Sequence, residues 1–227
     1  MKREKSSSMQ QIIGSKMSNR TEIHEQVLSA ASDEELMQTY GKWAASYDSD
    51  LIGKWNYQGP AAAAKWVEHY WSHQVAPARA HVLDAGCGTG LVGEALHRLG
   101  FSIITGVDCS EDMLKQARAK GVYQTLQKVN LNLPLDADSH TYDLVTCVGT
   151  STSAHVQPKA LQELLRVTKP QGLLVATVRA TFWEEAQFGQ ALVDSLKNSA
   201  ASLLELRTEP YIPTEGSECK LLVLRAT

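Results

Sequence analysis

The residues best suited to bind a ligand are a glycine loop and an acid that follow two consecutive apolar runs. The loop spans residues 84–90, with the sequence DAGCGTG, and its glycines allow a sharp turn and the close approach of a ligand to the backbone. The acid is Asp108, about 20 residues further on, where a carboxylate can accept hydrogen bonds from both hydroxyls of a ribose. Since ligands bind at the carboxyl ends of parallel strands, the two features predict a nucleoside site at the tips of two strands.

The pattern of the glycines, and the acid before them, indicate which nucleoside derivative binds. A dinucleotide loop reads G-x-G-x-x-G and places a pyrophosphate on the N-terminus of a helix. Here the glycines are Gly86, Gly88 and Gly90, and Asp84 stands before them. The carboxylate of Asp84 would repel a pyrophosphate but attract an ammonium group. S-adenosylmethionine has an α-ammonium group and no phosphate, so the charges favour it over NAD.

The elements that must position these residues are predicted to form an α/β fold. From residue 81 onward, apolar runs alternate with helical periodicity, which predicts a parallel sheet covered on both faces. Strands are predicted at residues 81–84, 102–107, 123–131, 144–148 and 173–178, and helices at 91–99, 113–117 and 161–167. A helix at 182–200 and two strands at 203–207 and 220–225 follow. We therefore predict a Rossmann-like, seven-stranded, mostly parallel sheet with helices on both faces and an antiparallel C-terminal strand pair.

The sequence before residue 80 predicts a polar tail and a helical cap. Ser32 and Glu35 form the capping box of a helix, and a second helix is predicted after Pro60, which suits a first helical position. We assign a mobile tail to residues 1–31 and one domain to 32–227. This domain is expected to comprise a cap at 32–75, a ligand-binding core at 80–180, and a C-terminal helix and strand pair at 181–227.

Composition and charge limit the class of protein and partner. The chain has 227 residues, of which 43% are apolar, and a net charge of −3; these values suit a globular domain and argue against a nucleic-acid partner. No apolar run is long enough to span a membrane, and no secretory signal is evident. The four cysteines lack metal-site spacing, so we expect free thiols and no metal. We expect a cytoplasmic protein, with nuclear access left open, and the sequence is compatible with a monomer.

The motifs together resemble those of a known enzyme family. The loop at 84–90, followed by the sequence GVDCS at 106–110, resembles the class I S-adenosylmethionine-dependent methyltransferases. Residues 133–145 and 164–172 are similar to the segments that lead into the fourth and fifth strands of that family. The resemblance covers about residues 36–180. It implies a methyltransferase that uses S-adenosylmethionine as its cofactor.

The resemblance also implies roles for individual residues around the cofactor. The methionine end would be held by Asp84, Gly86 and Gly88, with backbone atoms taking the ammonium group, and the ribose would be held by Asp108. The remaining contacts are expected to be apolar or aromatic. They would come from Cys109 and Met113 on the adenine, Val148 beneath the methionine part, and Tyr40 and Tyr47 closing over the cofactor.

One position departs from the pattern of the family. Many relatives have an Asp after the third strand that bonds the adenine amino group, whereas the nearest candidates here are Asn130 and Leu131. An Asn can accept that bond through its amide oxygen. The complete predicted cofactor-binding set is Tyr40, Tyr47, Asp84, Ala85, Gly86, Cys87, Gly88, Gly90, Asp108, Cys109, Met113, Asn130, Leu131 and Val148.

The sequence does not identify the acceptor of the methyl group. The sulfonium already activates the methyl group, so a general base is optional, and no residue stands out as one. The absence of an added recognition module favours a small-molecule acceptor over a protein or a nucleic acid. A protein that binds S-adenosylmethionine or S-adenosylhomocysteine without turnover stays open, and a nicotinamide dehydrogenase is the most distant alternative.

Overall fold

The computed structural model describes residues 22–30, 32–71, 75–151, 157–198 and 201–227. The helices of these residues are α1 (Glu22–Ser29), α2 (Asp33–Trp43), α3 (Gly59–Tyr70), α4 (Leu91–Arg98), α5 (Glu111–Ala119), α6 (Ala160–Val167), α7 (Ala180–Glu185) and α8 (Phe188–Asn198). The strands are β1 (His81–Ala85), β2 (Ile103–Asp108), β3 (Thr125–Lys128), β4 (Tyr142–Ser151), β5 (Thr168–Arg179), β6 (Ala201–Ile212) and β7 (Ser217–Ala226). Shorter helical turns lie at Ser49–Lys54, Pro77–Arg79 and Pro213–Glu215.

The strands form one seven-stranded sheet in the order β3-β2-β1-β4-β5-β7-β6. The strands from β1 to β5 pair in parallel, and β7 lies antiparallel between β5 and β6. The predicted mostly parallel sheet with an antiparallel C-terminal pair is thus confirmed. The order of the strands reverses between β1 and β4, and this reversal opens a crevice at their carboxyl ends, where ligands bind in such folds.

Helices cover both faces of the sheet because successive side chains of each strand point to opposite sides. On one face, Leu83, Val145 and Leu174 are buried against α6 and α8. On the other face, Val82, Leu144 and Val175 are buried with residues of α3 and α4. The two cores hold the strand ends rigidly, and these ends carry the loops of the site.

The N-terminal helices pack on the C-terminal strands as a cap. The Ser32 hydroxyl accepts a 3.2 Å hydrogen bond from the Glu35 backbone N–H, as expected for the N-cap of α2. Trp43, at the end of this helix, is 2% exposed and packs in one cluster with Trp55 and Tyr211. The cap therefore ties the segment that carries Tyr40 and Tyr47 to the last two strands.

The segment predicted as a tail is corrected for residues 22–30, because it contains α1. Within α1, Val27 and His24 are 3% and 5% exposed, and the His24 ring stacks on Trp55 with centroids 4.7 Å apart. Ile23 and Val27 stand one turn apart on this short helix and pack in the same cluster as Trp43 and Trp55, so its apolar side faces the cap. Residues 1–21 lie outside the described residues.

Several element bounds also differ from those predicted. β3 covers only Thr125–Lys128 of the predicted 123–131, and β5 begins earlier than predicted. The predicted helix at 182–200 is divided into α7 and α8, and Gln187, between them, has a positive φ of 49° that interrupts the helix. Among the described residues, no helix has the length and apolarity needed to cross a membrane.

Candidate functional site

A cavity of about 450 Å³ lies where the glycine loop, the end of β2 and the end of β4 meet under the cap. This volume lies in the range of cofactor sites. The described residues that line it are Leu36, Met37, Tyr40, Tyr47, Tyr57, Pro60, Gly86, Cys87, Gly88, Thr89, Leu91, Val92, Asp108, Cys109, Met113, Lys128, Val129, Asn130, Leu131, Asn132, Val148, Gly149 and Thr150.

The glycine loop turns away from β1 at Gly86, where the geometry requires a glycine. Its φ is +75°, and a Cβ at this position would collide with the methyl group of Thr150. The backbone N–H groups of Gly86 and Cys87 both donate to the carbonyl of Val107, at 2.8 and 3.0 Å. The turn is therefore pinned to β2, and the cavity runs along the backbone of the loop.

Asp108 lies on the cavity wall at the end of β2. One carboxylate oxygen accepts a 2.9 Å bond from the Gly88 N–H, and the other accepts a 2.8 Å bond from the Ser110 N–H. Burial raises the pKa of Asp108, and these two backbone donors partly offset the rise. The backbone N–H and the thiol of Cys109 also bond this carboxylate, which lines the cavity and can face a ligand there.

Asp84 is buried beneath the loop and does not line the cavity. Its carboxylate accepts hydrogen bonds of 2.7 Å from the Tyr123 hydroxyl and 3.0 Å from the Thr146 hydroxyl. Burial raises the pKa of Asp84 to about 6, against the lowering effect of these two bonds. The sequence suggested that Asp84 holds the ligand. In the structure its charge would act on a ligand across the backbone of the loop, without direct contact.

Tyr40, Tyr47 and Tyr57 form an aromatic roof over the cavity. The rings of Tyr40 and Tyr47 lie 6.2 Å apart, and Tyr47 packs edge-on against Trp43 at 4.7 Å. Burial raises the pKa of all three phenols far enough to keep them neutral at physiological pH. The roof can exclude water and donate hydrogen bonds, but it adds no charge.

The loop after β3 closes the cavity opposite the roof. The Asn130 amide oxygen accepts a 2.9 Å bond from the Asn132 N–H, so the acceptor that we assigned to an adenine amino group already has one donor. A second lone pair of this oxygen remains available for such a contact. Leu131 is 7% exposed and packs in the core below.

Partly exposed charged side chains connect the cap to the glycine loop. The Thr89 hydroxyl donates to Asp48, and Lys120 Nζ lies 2.7 Å from the other oxygen of Asp48 and also contacts Glu94. The side chain of Lys120 is 14% exposed, so solvent screens these contacts only partly. The position of the roof is thus coupled to the position of the loop.

Most of the predicted site residues line the cavity, but three do not. Ala85 and Gly90 shape the loop from outside the cavity, as Asp84 does. Tyr57 and Lys128 also line the cavity, although the sequence did not predict them as site residues. Lys128 was placed inside a longer strand, and Tyr57 stands in a linker without periodicity.

The site fits a nucleoside that carries an amino-acid group. The Asp108 carboxylate lines the cavity, and a Cβ added at Gly88 would meet no atom within 4 Å, so a ligand can approach the backbone there. The buried carboxylate of Asp84 disfavours a pyrophosphate on this loop. Over the described residues, no group of three or more His, Cys, Asp and Glu side chains is arranged to hold a metal ion.

Proteins and a protein family with similar sequences are named as methyltransferases. Residues 83–176 match the protein family described as Methyltransferase domain. The chain is 38% identical over 161 residues to Methyltransferase-like protein 27 of Homo sapiens, which covers 69% of this chain and 62% of that protein. It is 31% identical over 120 residues to the ubiquinone biosynthesis O-methyltransferase of Coxiella burnetii, covering 50% of each. The chain thus spans between half and two thirds of the length of these curated relatives.

Solved structures share the fold of the chain. The cyclase SpnF superposes with a TM-score of 0.63 at 17% identity, covering 87% of this chain and 97% of that one. The magnesium protoporphyrin IX methyltransferase ChlM of Synechocystis PCC 6803, with bound S-adenosylmethionine, superposes with a TM-score of 0.56 at 15% identity, covering 88% and 86%. At these identities the likeness shows the fold alone. The family match over residues 83–176 means that the chain carries a methyltransferase domain, as its motifs suggested, and S-adenosylmethionine is the cofactor of such enzymes.

Proposed function

We propose that this protein transfers the methyl group of S-adenosylmethionine to a small-molecule acceptor. The observation that carries the proposal is the carboxylate of Asp108, which lies on the wall of a 450 Å³ cavity next to the glycine loop and accepts a hydrogen bond from the Gly88 N–H. The relative from Coxiella burnetii is named for ubiquinone biosynthesis, and that name supports an acceptor of small size. The net charge of −3 offers little attraction to nucleic acid.

The residues of the chain would act mainly by positioning. S-adenosylmethionine supplies a methyl group already activated by its sulfonium. Asp108 would hold the ribose, and Asp84 would attract the ammonium group through the loop. Tyr40 and Tyr47 would cover the cofactor and exclude water. Alignment of this kind can lower a barrier by about 7–11 kcal/mol, so no strong acid or base is required on the cofactor side.

A labelled-methyl survey tests the proposal. The full chain is incubated with S-adenosylmethionine labelled in its methyl group and with a cell extract separated into small-molecule, protein and nucleic-acid fractions. We expect label in the small-molecule fraction only. Label in protein or RNA would refute the acceptor class, and cofactor binding without transfer to any fraction would refute the enzymatic function.

We also propose a cytoplasmic location for the protein. All four cysteines are free thiols, and Cys87, Cys147 and Cys219 are buried. A reducing compartment keeps such thiols reduced. Fractionation of cells that express the tagged protein tests this location, and recovery in a membrane or secreted fraction would contradict it.

A further inference from the structure

A second, smaller cavity of about 40 Å³ adjoins the cofactor cavity. The two share Tyr40, Tyr47, Tyr57 and Gly149 as lining residues. Gly149 follows Val148 of β4 and has a φ of +83°, and a Cβ there would lie 2.7 Å from the Tyr57 hydroxyl. A volume of this size holds a hydroxyl group and the few atoms next to it, since a single water needs roughly 10–15 Å³.

The far wall of the small cavity carries His24 and Arg179, which are joined through a buried carboxylate. His24 Nδ1 lies 3.0 Å from one oxygen of Glu215, and an Arg179 N–H donates a 3.1 Å bond to the other oxygen. The side chains of His24 and Glu215 are 6% and 4% exposed. The arginine balances the charge of the carboxylate that faces the imidazole.

The imidazole of His24 is held in one orientation. Its ring stacks on Trp55 at 4.7 Å and lies tilted against Trp43 at 5.7 Å. Nδ1 is buried and faces Oε1 of Glu215, without a hydrogen bond between these two atoms. A neutral imidazole has one ring nitrogen with a free lone pair, which can accept a proton.

The other polar groups of the small cavity cannot accept a proton at neutral pH. Burial raises the pKa of Tyr47 and Tyr57 strongly and that of Tyr211 to about 12, so these phenols stay neutral. Arg179 is already protonated. Asp50 accepts a 2.8 Å bond from the Trp43 ring N–H and lies outside the lining. Among the described lining residues, His24 is therefore the group able to take up a proton.

We propose that the acceptor presents a hydroxyl group in this small cavity and that His24 is its general base, with Glu215 as a positioning residue. The hydroxyl oxygen forms a bond to the methyl carbon, the carbon–sulfur bond breaks, and its electron pair goes to the sulfonium sulfur. The hydroxyl proton moves to a ring nitrogen of His24. This assignment rests on the proposed function, and the O-methyltransferase name of the Coxiella relative agrees with it.

The test uses the full chain and the small-molecule extract with labelled S-adenosylmethionine. His24→Phe keeps an aromatic ring against Trp55 but has no base, and His24→Ala leaves space for added imidazole. We expect His24→Phe to bind S-adenosylmethionine within twofold of wild type and to lose about 100-fold or more in transfer rate. We expect tens of millimolar imidazole to restore part of the rate of His24→Ala. His69→Phe is the matched control, since His69 is exposed and lines neither cavity.

Two further readouts separate a chemical role from a structural one. The wild-type rate is expected to rise with pH to a plateau, and His24→Phe is expected to lose this limb of the profile. Glu215→Gln is expected to shift this limb of the profile to a different pH, because it replaces the carboxylate beside the imidazole. The labelled product should be a methyl ether that survives alkali.

The outcomes distinguish a failure of the role proposed for His24 from a failure of the proposed methyltransferase function. A wild-type rate in His24→Phe, or a product that is an alkali-labile ester or an N-methyl compound, would overturn the role of His24 and leave the methyltransferase function standing. If both His24 variants fail to fold, an unchanged pH profile in Glu215→Gln overturns the inference. If the wild type transfers no label, both proposals fail.

Discussion

The Tyr123 hydroxyl donates a 2.7 Å hydrogen bond to the carboxylate of Asp84 and so joins the end of β1 to the segment that precedes β3. Thr146, on β4, donates to the other oxygen of the same carboxylate at 3.0 Å. Asp84 is 1% exposed, and the donors to its carboxylate, which also include the Gly93 backbone N–H, are neutral. An ionised carboxyl in this position is costly, and burial accordingly raises the pKa of Asp84 to about 6.

The stability of the protein should fall as pH rises from about 4.5 to 6.5. The folded chain keeps the Asp84 proton up to about pH 6, whereas an unfolded chain releases it near 3.8, so the folded state binds more protons in between. The difference corresponds to about 3 kcal/mol at most. Urea unfolding of the protein without cofactor, measured across this range, checks the sign. Asp84→Asn should flatten the slope and leave a remainder from Asp108, and an unchanged slope would contradict the assignment.

Cofactor affinity should show the opposite dependence on pH. The ammonium group of S-adenosylmethionine favours the ionised form of Asp84, so binding expels its proton and should strengthen by about tenfold between pH 5 and pH 7. 5′-Methylthioadenosine lacks the amino-acid group and serves as the matched ligand, with a flat profile expected. Calorimetry at several pH values measures both ligands. Equal profiles for the two ligands would show that Asp84 does not sense the ammonium group.

Removal of the Asp108 carboxylate should weaken cofactor binding without unfolding the protein. Hydrogen bonds to a charged group contribute about 1.5–3 kcal/mol each, so Asp108→Ala should raise the dissociation constant by at least tenfold. Asp136→Ala is the control, because this acid is exposed and does not line the cavity. Calorimetry with S-adenosylhomocysteine measures both variants. An unchanged affinity in Asp108→Ala would refute the ribose contact.

Much of the fold follows from local patterns, and so does the part of the site nearest to the sheet. The alternation of strands and helices predicts the order of elements, and the loop glycines mark the end of β1. The face of the sheet to which the Asp84 side chain points was also predictable from the sequence, because Val82 and Asp84 are two residues apart on one strand and must share a face. That face is a helix-covered core, which explains why Asp84 does not reach the cavity.

The aromatic roof and the far wall of the small cavity depend on contacts between distant segments. Tyr57 stands next to Asn56, whose φ is +55°, and its ring packs edge-on against Tyr211 of β6 at 5.1 Å. His24 is positioned by Trp55 and Glu215, which lie far apart in the sequence. No periodicity or motif marks such residues, because tertiary packing decides their places.

The turn at Gly86 should tolerate no side chain. Gly86→Ala is expected to lose more than 2 kcal/mol of unfolding free energy, since a residue with a Cβ resists φ of +75° and would also strike the Thr150 methyl group. Thr150→Ser removes that methyl group and should recover the steric part in the double variant. Gly216→Ala, with φ of +63° and no atom near the added Cβ, isolates the conformational cost of about 1 kcal/mol. Equal losses in Gly86→Ala and Gly216→Ala would rule out the collision.

Two N-terminal deletions should separate the helix α1 from the residues before it. The lining of the cofactor cavity begins at Leu36, so deletion of residues 1–21 should leave the affinity for S-adenosylmethionine within twofold. Deletion of residues 1–30 also removes buried Val27 and His24 from the cap, and should lower stability by about 1.5–3 kcal/mol for each apolar side chain lost. Val27→Ala tests the packing alone. Urea unfolding and calorimetry distinguish the variants, and a large loss of affinity on deletion of residues 1–21 would mean that this segment closes over the cofactor.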